Sequence, residues 1–510
     1  MPAGPFARKE AVSGRIGRDS PRGTAAEGRP PSVRRAKIIA TIGPATESEN
    51  KLRELMLAGM DVARLNMSHG EREHQGKIIA RIRSVANELG RPVAILLDMS
   101  GPKIRTGALR DGKAFLEDGA EVRISSDEIE GDASRFSSNY PFLARDVHQG
   151  DRILIDDGQI ELQVVKTLPN EVIARVIHGA ILYDHKGINL PGASVSIPSI
   201  TEKDVADLRF GIERGIDLVA QSFVRSADDC RRARELIGQL GGKSRLIAKI
   251  EKPEAIDDFA NILDVVDGVM VARGDLAVET SPERVPVLQK RILRDCLVAQ
   301  KLSITATQML QSMIDNPRPT RAEASDVSNA VLDGSDAVML SGETAVGRFP
   351  VEAVRMMDRI IRSTEEMEVP ARDLMRQLVF GQQTGSQGRA IAEAAVRAAD
   401  ELACRSIVVI TQSGNMGRHI AALRPSQRII ALAPTELTRR QISVNWGVEP
   451  YLLDTGNSEI NSMLPLAERA LLDLKLVERG ETVIVMAGRL SDAVISLSIK
   501  VYCVGELTGQ

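Results

Sequence analysis

Eight short apolar runs, each cut off by glycine or a polar cluster, constrain this chain more than any other feature. They are KIIATIG (37–43), VARLNMS (62–68), AILLDMS (94–100), LVAQSFV (218–224), RLIAKIE (245–251), GVMVARGD (268–275), SITAT (303–307) and AVMLS (337–341). Most lack period-two alternation, as expected of strands buried on both faces. Amphipathic stretches at 46–59, 71–88, 226–238 and 283–300 lie between them. Strand and helix alternating eight times point to a (β/α)8 TIM barrel.

The spacing has one gap. Residues 101–217 separate the third run from the fourth, and within them 107–194 reads as alternating strands with Gly and Asp turns (AEVRIS, DRILIDDG, IELQVVK, EVIARVIHGA). We read an inserted small β-barrel lid domain there. The expected organisation is therefore a tail over 1–35, barrel over 36–106, lid over 107–194, barrel again over 195–370, and a C-terminal doubly wound α/β domain over 371–510. The last contains a helix at 389–402, the strands SIVVITQSG, RIIALAP, EPYLLD and ETVIVMAGR, and a helix near 460–474. The tail is rich in Gly, Pro, Ser and Arg and is read as disordered.

Charge narrows the function. With 66 Lys plus Arg against 69 Asp plus Glu, the net charge is −3, without the basic excess of a nucleic-acid or membrane-surface protein. No apolar run reaches the about 18 residues of a membrane span, and no signal peptide is expected. Cys230, Cys296, Cys404 and Cys503 are isolated, with neither a disulfide framework nor metal spacing, which reads as a reducing, cytoplasmic setting.

Barrel enzymes place function at the C-terminal ends of the strands. Those ends carry Arg64, Asn66, Ser68 and His69; Asp98, Ser100, Lys103 and Arg105; Ser222 and Arg225; Lys249 and Glu251; Arg273 and Asp275; Thr307 and Gln308; Ser341 and Glu343. Glu251 and Asp275 offer oxygen ligands from neighbouring strands, which suits a hard cation such as Mg²⁺. Arg64, Arg105 and Lys249 gather positive charge beside them, which suits a phosphoryl group. Metal, cations and neutral hydroxyls together are the parts needed for phosphoryl transfer. GGKS (241–244) is not a phosphate loop: it follows a helix, and the first glycine of GxxxxGK(S/T) would fall on Ile237.

From Ala36 onward the chain resembles the pyruvate kinase family. TIGPAT (41–46), GMDVARLNMSHG (59–70), GPKIRTG (101–107), INLPGA (188–193), IAKIE (247–251), MVARGDL (270–276) and the long segment ATQMLQSMIDNPRPTRAEASDVSNAVLDGSDAVMLSGETA (306–345) carry the likeness. The resemblance implies transfer of the phosphoryl group of phosphoenolpyruvate to ADP, giving ATP and pyruvate, in a homotetramer. It assigns Glu251 and Asp275 to divalent Mg²⁺ (or Mn²⁺), Lys249 to the transferred phosphoryl and the enolate, and Arg64 to phosphate. Ala272, Arg273 and Gly274 would face the substrate carboxylate through their backbone. Thr307 lies beside the methylene and, with Ser341, organises the protonating water. Pro44, Asn66, His69 and Arg105 fall on the nucleotide side, and Asp156-Asp157-Gly158 matches a lid turn.

The resemblance also exposes two departures. Family ligands for a monovalent cation map to Asn66, Ser68, Asp98 and the Met99 carbonyl. The potassium-dependent branch reads TKGPEIRT where this chain has Lys103 in place of the glutamate, so K⁺ is expected to be dispensable, its charge supplied by Lys103. In the effector loop TQSGNMGR (411–418), Thr411, Ser413 and Gly414 are retained, but Met416 replaces a hydroxyl and Gln412 and Asn415 replace basic residues. GRLSDAVIS (488–496) also departs from the usual Gly-rich loop. Fructose bisphosphate is disfavoured; a sugar monophosphate or AMP, or no effector, remain open. Two other readings are a metal-dependent lyase or aldolase acting on an enol-pyruvate substrate, which would not depend on ADP, and a catalytically dead binding protein. The presence of Lys249, Glu251, Asp275 and Thr307 counts against the second.

Overall fold

Eight parallel strands close into a barrel: β1 (Lys37–Thr41), β2 (Val62–Asn66), β3 (Ala94–Asp98), β4 (Leu218–Gln221), β5 (Arg245–Ile250), β6 (Gly268–Ala272), β7 (Leu302–Ala306) and β8 (Ala337–Leu340). The computed structural model describes residues 34–193, 195–367, 369–381, 386–454, 460–491 and 494–507. Side chains of 369–371, 460–462, 489–491 and 494–496 lie outside the description, as does the tail reading for residues 1–33. Most of the effector-region reading at 488–496 is outside it too.

Burial on both faces explains why the strand sequences do not alternate. Ile39, Val62, Leu96, Ala220, Ile247, Met270 and Ile304 fill the barrel interior. Their chain neighbours Ile38, Ala63, Leu97, Val219, Ala248 and Val271 pack outward against the helices. Both sets must therefore be apolar.

Between β3 and β4 the chain forms the insert. Its larger sheet has six strands, in the order Ile188–Asn189, Arg152–Ile155, Ile160–Leu168, Glu171–His178, Glu121–Ser125 and Arg135–Ser137; Lys113–Phe115 pairs with Ile181–Tyr183 as a separate ribbon. The insert has its own apolar core, including Val122, Phe136, Tyr140, Ile153, Leu162 and Val172. The turn at 156–158 has left-handed backbone at Asp156, Asp157 and Gly158.

Three helices matter for the sites: α1 (Arg273–Glu279), α2 (Val285–Val298) and α3 (Asn415–Ala422). The C-terminal sheet contains β9 (Ser406–Ile410), β10 (Arg428–Ala433), β11 (Val448–Leu452), β12 (Thr482–Ser491) and β13 (Val494–Cys503), in the order β11-β10-β9-β12-β13. β13, which sequence reading did not single out, pairs antiparallel with β12 and ends the parallel array.

The barrel and the C-terminal sheet are tied by charge. Arg424 Nη1 meets Asp336 Oδ1 at 2.9 Å, Arg440 Nε meets Asp217 Oδ1 at 2.8 Å, and Lys37 Nζ donates to the Val448 carbonyl at 2.9 Å. Trp446 is buried, with the guanidiniums of Arg35 and Arg424 5.0 and 4.7 Å from its ring centre. Arg34 and Arg35 are anchored rather than tail-like: Arg34 pairs with Asp61 at 2.7 Å and Asp358 at 2.8 Å, and Arg35 donates to the Pro425 carbonyl at 2.7 Å.

Candidate active site

Register sets the first pair of groups. β2 and β3 align Asn66 with Asp98, and β3 and β4 align Asp98 with Ala220, so one carboxylate stands at the barrel mouth between two strand ends. Asp98, 1 % exposed, receives Arg64 Nε at 2.7 Å and lies 3.2 Å from Lys249 Nζ. Burial alone would raise its pKa, but Lys249 and Arg64 outweigh that and hold it below the ordinary carboxylate range. Arg64 also donates to Thr41 Oγ1 at 2.9 Å.

Lys249 is held from three sides: Asp98, Glu251 Oε1 at 2.9 Å and Ser222 Oγ at 2.8 Å. Desolvation opposes its charge, yet the flanking carboxylates raise its pKa, so the side chain stays an ammonium. The Ser222 hydroxyl in turn donates to the Met99 carbonyl at 2.6 Å. Ser222 and Thr41 are thus the supports for Lys249 and Arg64. Position at a strand end hinted at Ser222, whereas nothing in the sequence marked Thr41 beyond its place in TIGPAT.

Glu251 is 1 % exposed and accepts the Phe223 amide at 2.7 Å. Burial raises its pKa, Lys249 lowers it, and the Asp275 carboxylate raises it again. Asp275 lies in the first turn of α1 and makes no hydrogen bond or ion pair among the described residues. A buried carboxylate beside a second one that has no protein partner among the described residues fits a hard divalent cation. No group of three or more His, Cys, Asp and Glu residues suited to a metal occurs among the described residues.

Thr307 has a left-handed backbone (φ 69°), and its hydroxyl accepts the Gly274 amide at 2.9 Å. A β-branched residue there is strained, a feature that concentrates at functional sites. Arg273 turns away: its guanidinium donates to the Ala306 and Thr307 carbonyls and pairs with Asp326 at 2.7 Å. The Arg273 side chain and the Gly274 amide are thus both engaged within the protein. The Ser341 hydroxyl is buried without a partner, while its amide donates to Glu343 Oε2 at 2.7 Å. Glu343, 0 % exposed, also accepts the Leu310 amide, so this acid organises two loops instead of the chemistry.

The nucleotide-side residues are more open. Pro44 and His69 are exposed, and Asn66 Oδ1 accepts the Ser68 amide at 3.1 Å. Loss of solvent, then Arg105, Lys103 and Arg64, lower the pKa of His69 and keep its ring neutral. Lys103 is exposed and approaches Gly187 of the insert, and Arg105 Nη1 donates to the His185 carbonyl at 2.9 Å. Sequence reading missed Lys203, whose ammonium donates to the Met67 carbonyl at 2.6 Å, beside the Ser68 and Met99 positions. Arg225 donates to the Val195 carbonyl at the base of the insert at 2.7 Å and lines one cleft with Lys103 and Asp275.

In the C-terminal domain, Thr411 Oγ1 accepts the Gly414 amide at 2.9 Å, and the Ser413 carbonyl accepts Arg245 Nη2 at 2.9 Å. Gly414 has φ 82°, and a Cβ there would lie 2.2 Å from Ile442 Cγ2, so glycine is required.

Comparison with known proteins agrees with this geometry. A family model described as "Pyruvate kinase, barrel domain" matches residues 33–354, and one described as "Pyruvate kinase, alpha/beta domain" matches 389–496. Pyruvate kinases of Staphylococcus aureus strains USA300 and NCTC 8325 are each 46 % identical over 461 residues, which span 89 % of this chain and 78 % of theirs. The crystal structure of a pyruvate kinase from Cryptosporidium parvum superposes with a TM-score of 0.86 at 36 % identity, covering 92 % of this chain and 96 % of that one. A closed barrel with an insert after β3, a mouth of paired cations and carboxylates, and matches of this extent lead to one conclusion: the chain belongs to the pyruvate kinase family.

Proposed function

We propose that the barrel mouth moves the phosphoryl group of phosphoenolpyruvate onto ADP through the residues assembled around Lys249. The observation that carries this is the ammonium of Lys249 held between Asp98 and Glu251, with Arg64 on the same Asp98 carboxylate. Two preorganised cations on buried anions offer charge where it develops, with no reorganisation at the moment of reaction.

In this reading Arg64 grips the phosphate. Lys249 follows the negative charge from the bridging oxygen to the enolate as the P–O bond breaks and the β-phosphate oxygen of ADP takes the phosphorus. Glu251 and Asp275 would hold the divalent ion, Mg²⁺ or Mn²⁺, which supplies further charge neutralisation on the phosphoryl oxygens when bound. Backbone at Ala272 to Gly274 receives the substrate carboxylate. The Thr307 and Ser341 hydroxyls hold the water whose proton goes to the methylene carbon, giving pyruvate. The unpartnered Ser341 hydroxyl is what recommends it for that task. Pro44, Asn66, His69 and Arg105 line the ADP side, and the insert closes over them to keep out water.

We extend the reading to potassium. The cations that depress His69 include Lys103 alongside Arg64 and Arg105, so a tethered ammonium already acts on the ground a monovalent ion would occupy. Two of the mapped ion ligands are also engaged, Asp98 by Arg64 and Lys249, and the Met99 carbonyl by Ser222. The wild type should form pyruvate at full rate in potassium- and ammonium-free sodium buffer with Mg²⁺, whereas Lys103→Glu should need added K⁺. Strong K⁺ activation of the wild type would refute the tethered-charge reading while leaving the kinase intact. The family's homotetramer, an allosteric effector at Thr411, Ser413 and Gly414, and a cytoplasmic site of action belong to the same proposal. Four unpaired cysteines support the last.

A further inference from the structure

At the opposite end of the barrel a second cationic cluster lacks what the mouth has. A cleft enclosing about 240 Å³ of space, open to solvent, separates the C-terminal end of α2 and the start of β7 from α3 of the C-terminal domain. It is lined by Gln300, Lys301, Asp336, Arg418 and Asn445 among others. Arg418 has no ion pair among the described residues, and its Nε is shielded from solvent with no hydrogen-bond partner. Gln300 (4 % exposed) gives its Oε1 to His419 Nδ1 at 2.5 Å and leaves Nε2 without an acceptor. Asn445 (2 % exposed) likewise leaves Nδ2 without one.

Three buried nitrogens with no acceptor at one cleft each carry a desolvation cost unless something accepts from them. The charges around them have the same sign. Burial lowers the pKa of Arg245, Lys301 and Arg418, and the Arg418 guanidinium lowers those of Arg245 and Lys301 further. The nearby acids are already engaged: Asp267 with Arg234 at 2.9 Å and the Leu246 amide, Asp336 with Arg424 at 2.9 Å and the Ser303 amide. Unpaired guanidinium, unpaired amides and excess cations call for an oxyanion, and a fork of N–H donors suits a phosphate group.

We propose that this cleft is a phosphate-group site, separate from the active site and from the turn at Thr411 to Gly414, held by Arg418, Gln300 and Asn445 in the field of Lys301 and Arg245. The occupant bridges α3 to the barrel, and because α3 begins directly after Gly414, occupancy fixes the helix on which that turn is mounted. It therefore stabilises the joint between barrel and C-terminal domain by mass action.

The test is binding to the full chain, read by calorimetry and by the melting temperature, with inorganic phosphate against sodium chloride at matched ionic strength. Arg418→Gln should weaken phosphate binding at least tenfold while the rate without phosphate stays at the wild-type value. Gln300→Glu guards against a misfolded variant: its carboxylate supplies the missing partner, so it should melt higher than wild type without phosphate and no longer respond to phosphate. Glycerol phosphate run in parallel tells a free ion from the end of a larger ester; tighter binding of either, lost in Arg418→Gln, upholds the site. Wild-type phosphate affinity in both variants overturns it. So does a response abolished by Thr411→Val but kept in Arg418→Gln.

Discussion

The two ends of the barrel treat buried cations in opposite ways. At the mouth Arg64 and Lys249 share Asp98, and Lys249 also has Glu251, so both of these cations arrive with an anion. At the base Arg418 is nearly as deep and has none among the described residues. A paired cation is fixed in place and ready to act on a substrate that brings its own charge and metal. An unpaired one costs stability until a ligand comes. Pairing thus separates catalytic preorganisation from a vacancy for binding.

The largest break in this comparison comes from the paired end. Lys249→Met should lower kcat by about 10³-fold or more, with the KM for phosphoenolpyruvate little changed, because the lost contact matters most as the enolate forms. Next is Arg424→Met, which removes a paired guanidinium beside the basal cleft. It strands Asp336 in a buried site and should cost about 3–4 kcal/mol in denaturant unfolding.

Acid gives a third test. Burial, with Arg418, Arg389 and Lys301 nearby, depresses His419 to about 4. The unfolded chain therefore binds the proton first, and stability contributed by neutral His419 is present above about pH 6.5 and lost as pH falls toward 4. The loss is on the order of 3 kcal/mol at most, and His419→Gln should remove that slope from the pH dependence of the melting temperature. The smallest effect belongs to Thr41→Val, which removes one support of Arg64. It should raise the KM for phosphoenolpyruvate about fivefold and leave stability within about 1 kcal/mol.

Much of this was legible in the residues. Eight non-alternating runs marked the eight strands, because strands buried on both faces need apolar residues throughout, and the ends of those runs marked Arg64, Asp98, Lys249, Glu251 and Thr307. What the sequence could not show is where a side chain turns once the strand has ended. Arg273 and Glu343 look as functional as Lys249 in sequence, yet one packs against Asp326 and the other holds two loop amides. Thr41, Lys203 and Arg34 looked ordinary, and their roles depend on partners distant in the chain. The basal cleft was invisible for the same reason, since Gln300, Arg418 and Asn445 share no motif. Strand β13 was missed because residues 497–503, half exposed at a sheet edge, lack the dense apolar signature of β9 and β10.

We propose Glu251, held against the fixed Lys249 ammonium, and Asp275 beside it as the divalent-ion ligands of the mouth. Mn²⁺ binding to the full chain, followed by the loss of the free-ion paramagnetic resonance signal, tests it without turnover. The account predicts that Asp275→Asn and Glu251→Gln each weaken Mn²⁺ binding at least 100-fold, with melting temperatures measured alongside to confirm folding. Wild-type Mn²⁺ affinity in folded Asp275→Asn would contradict it.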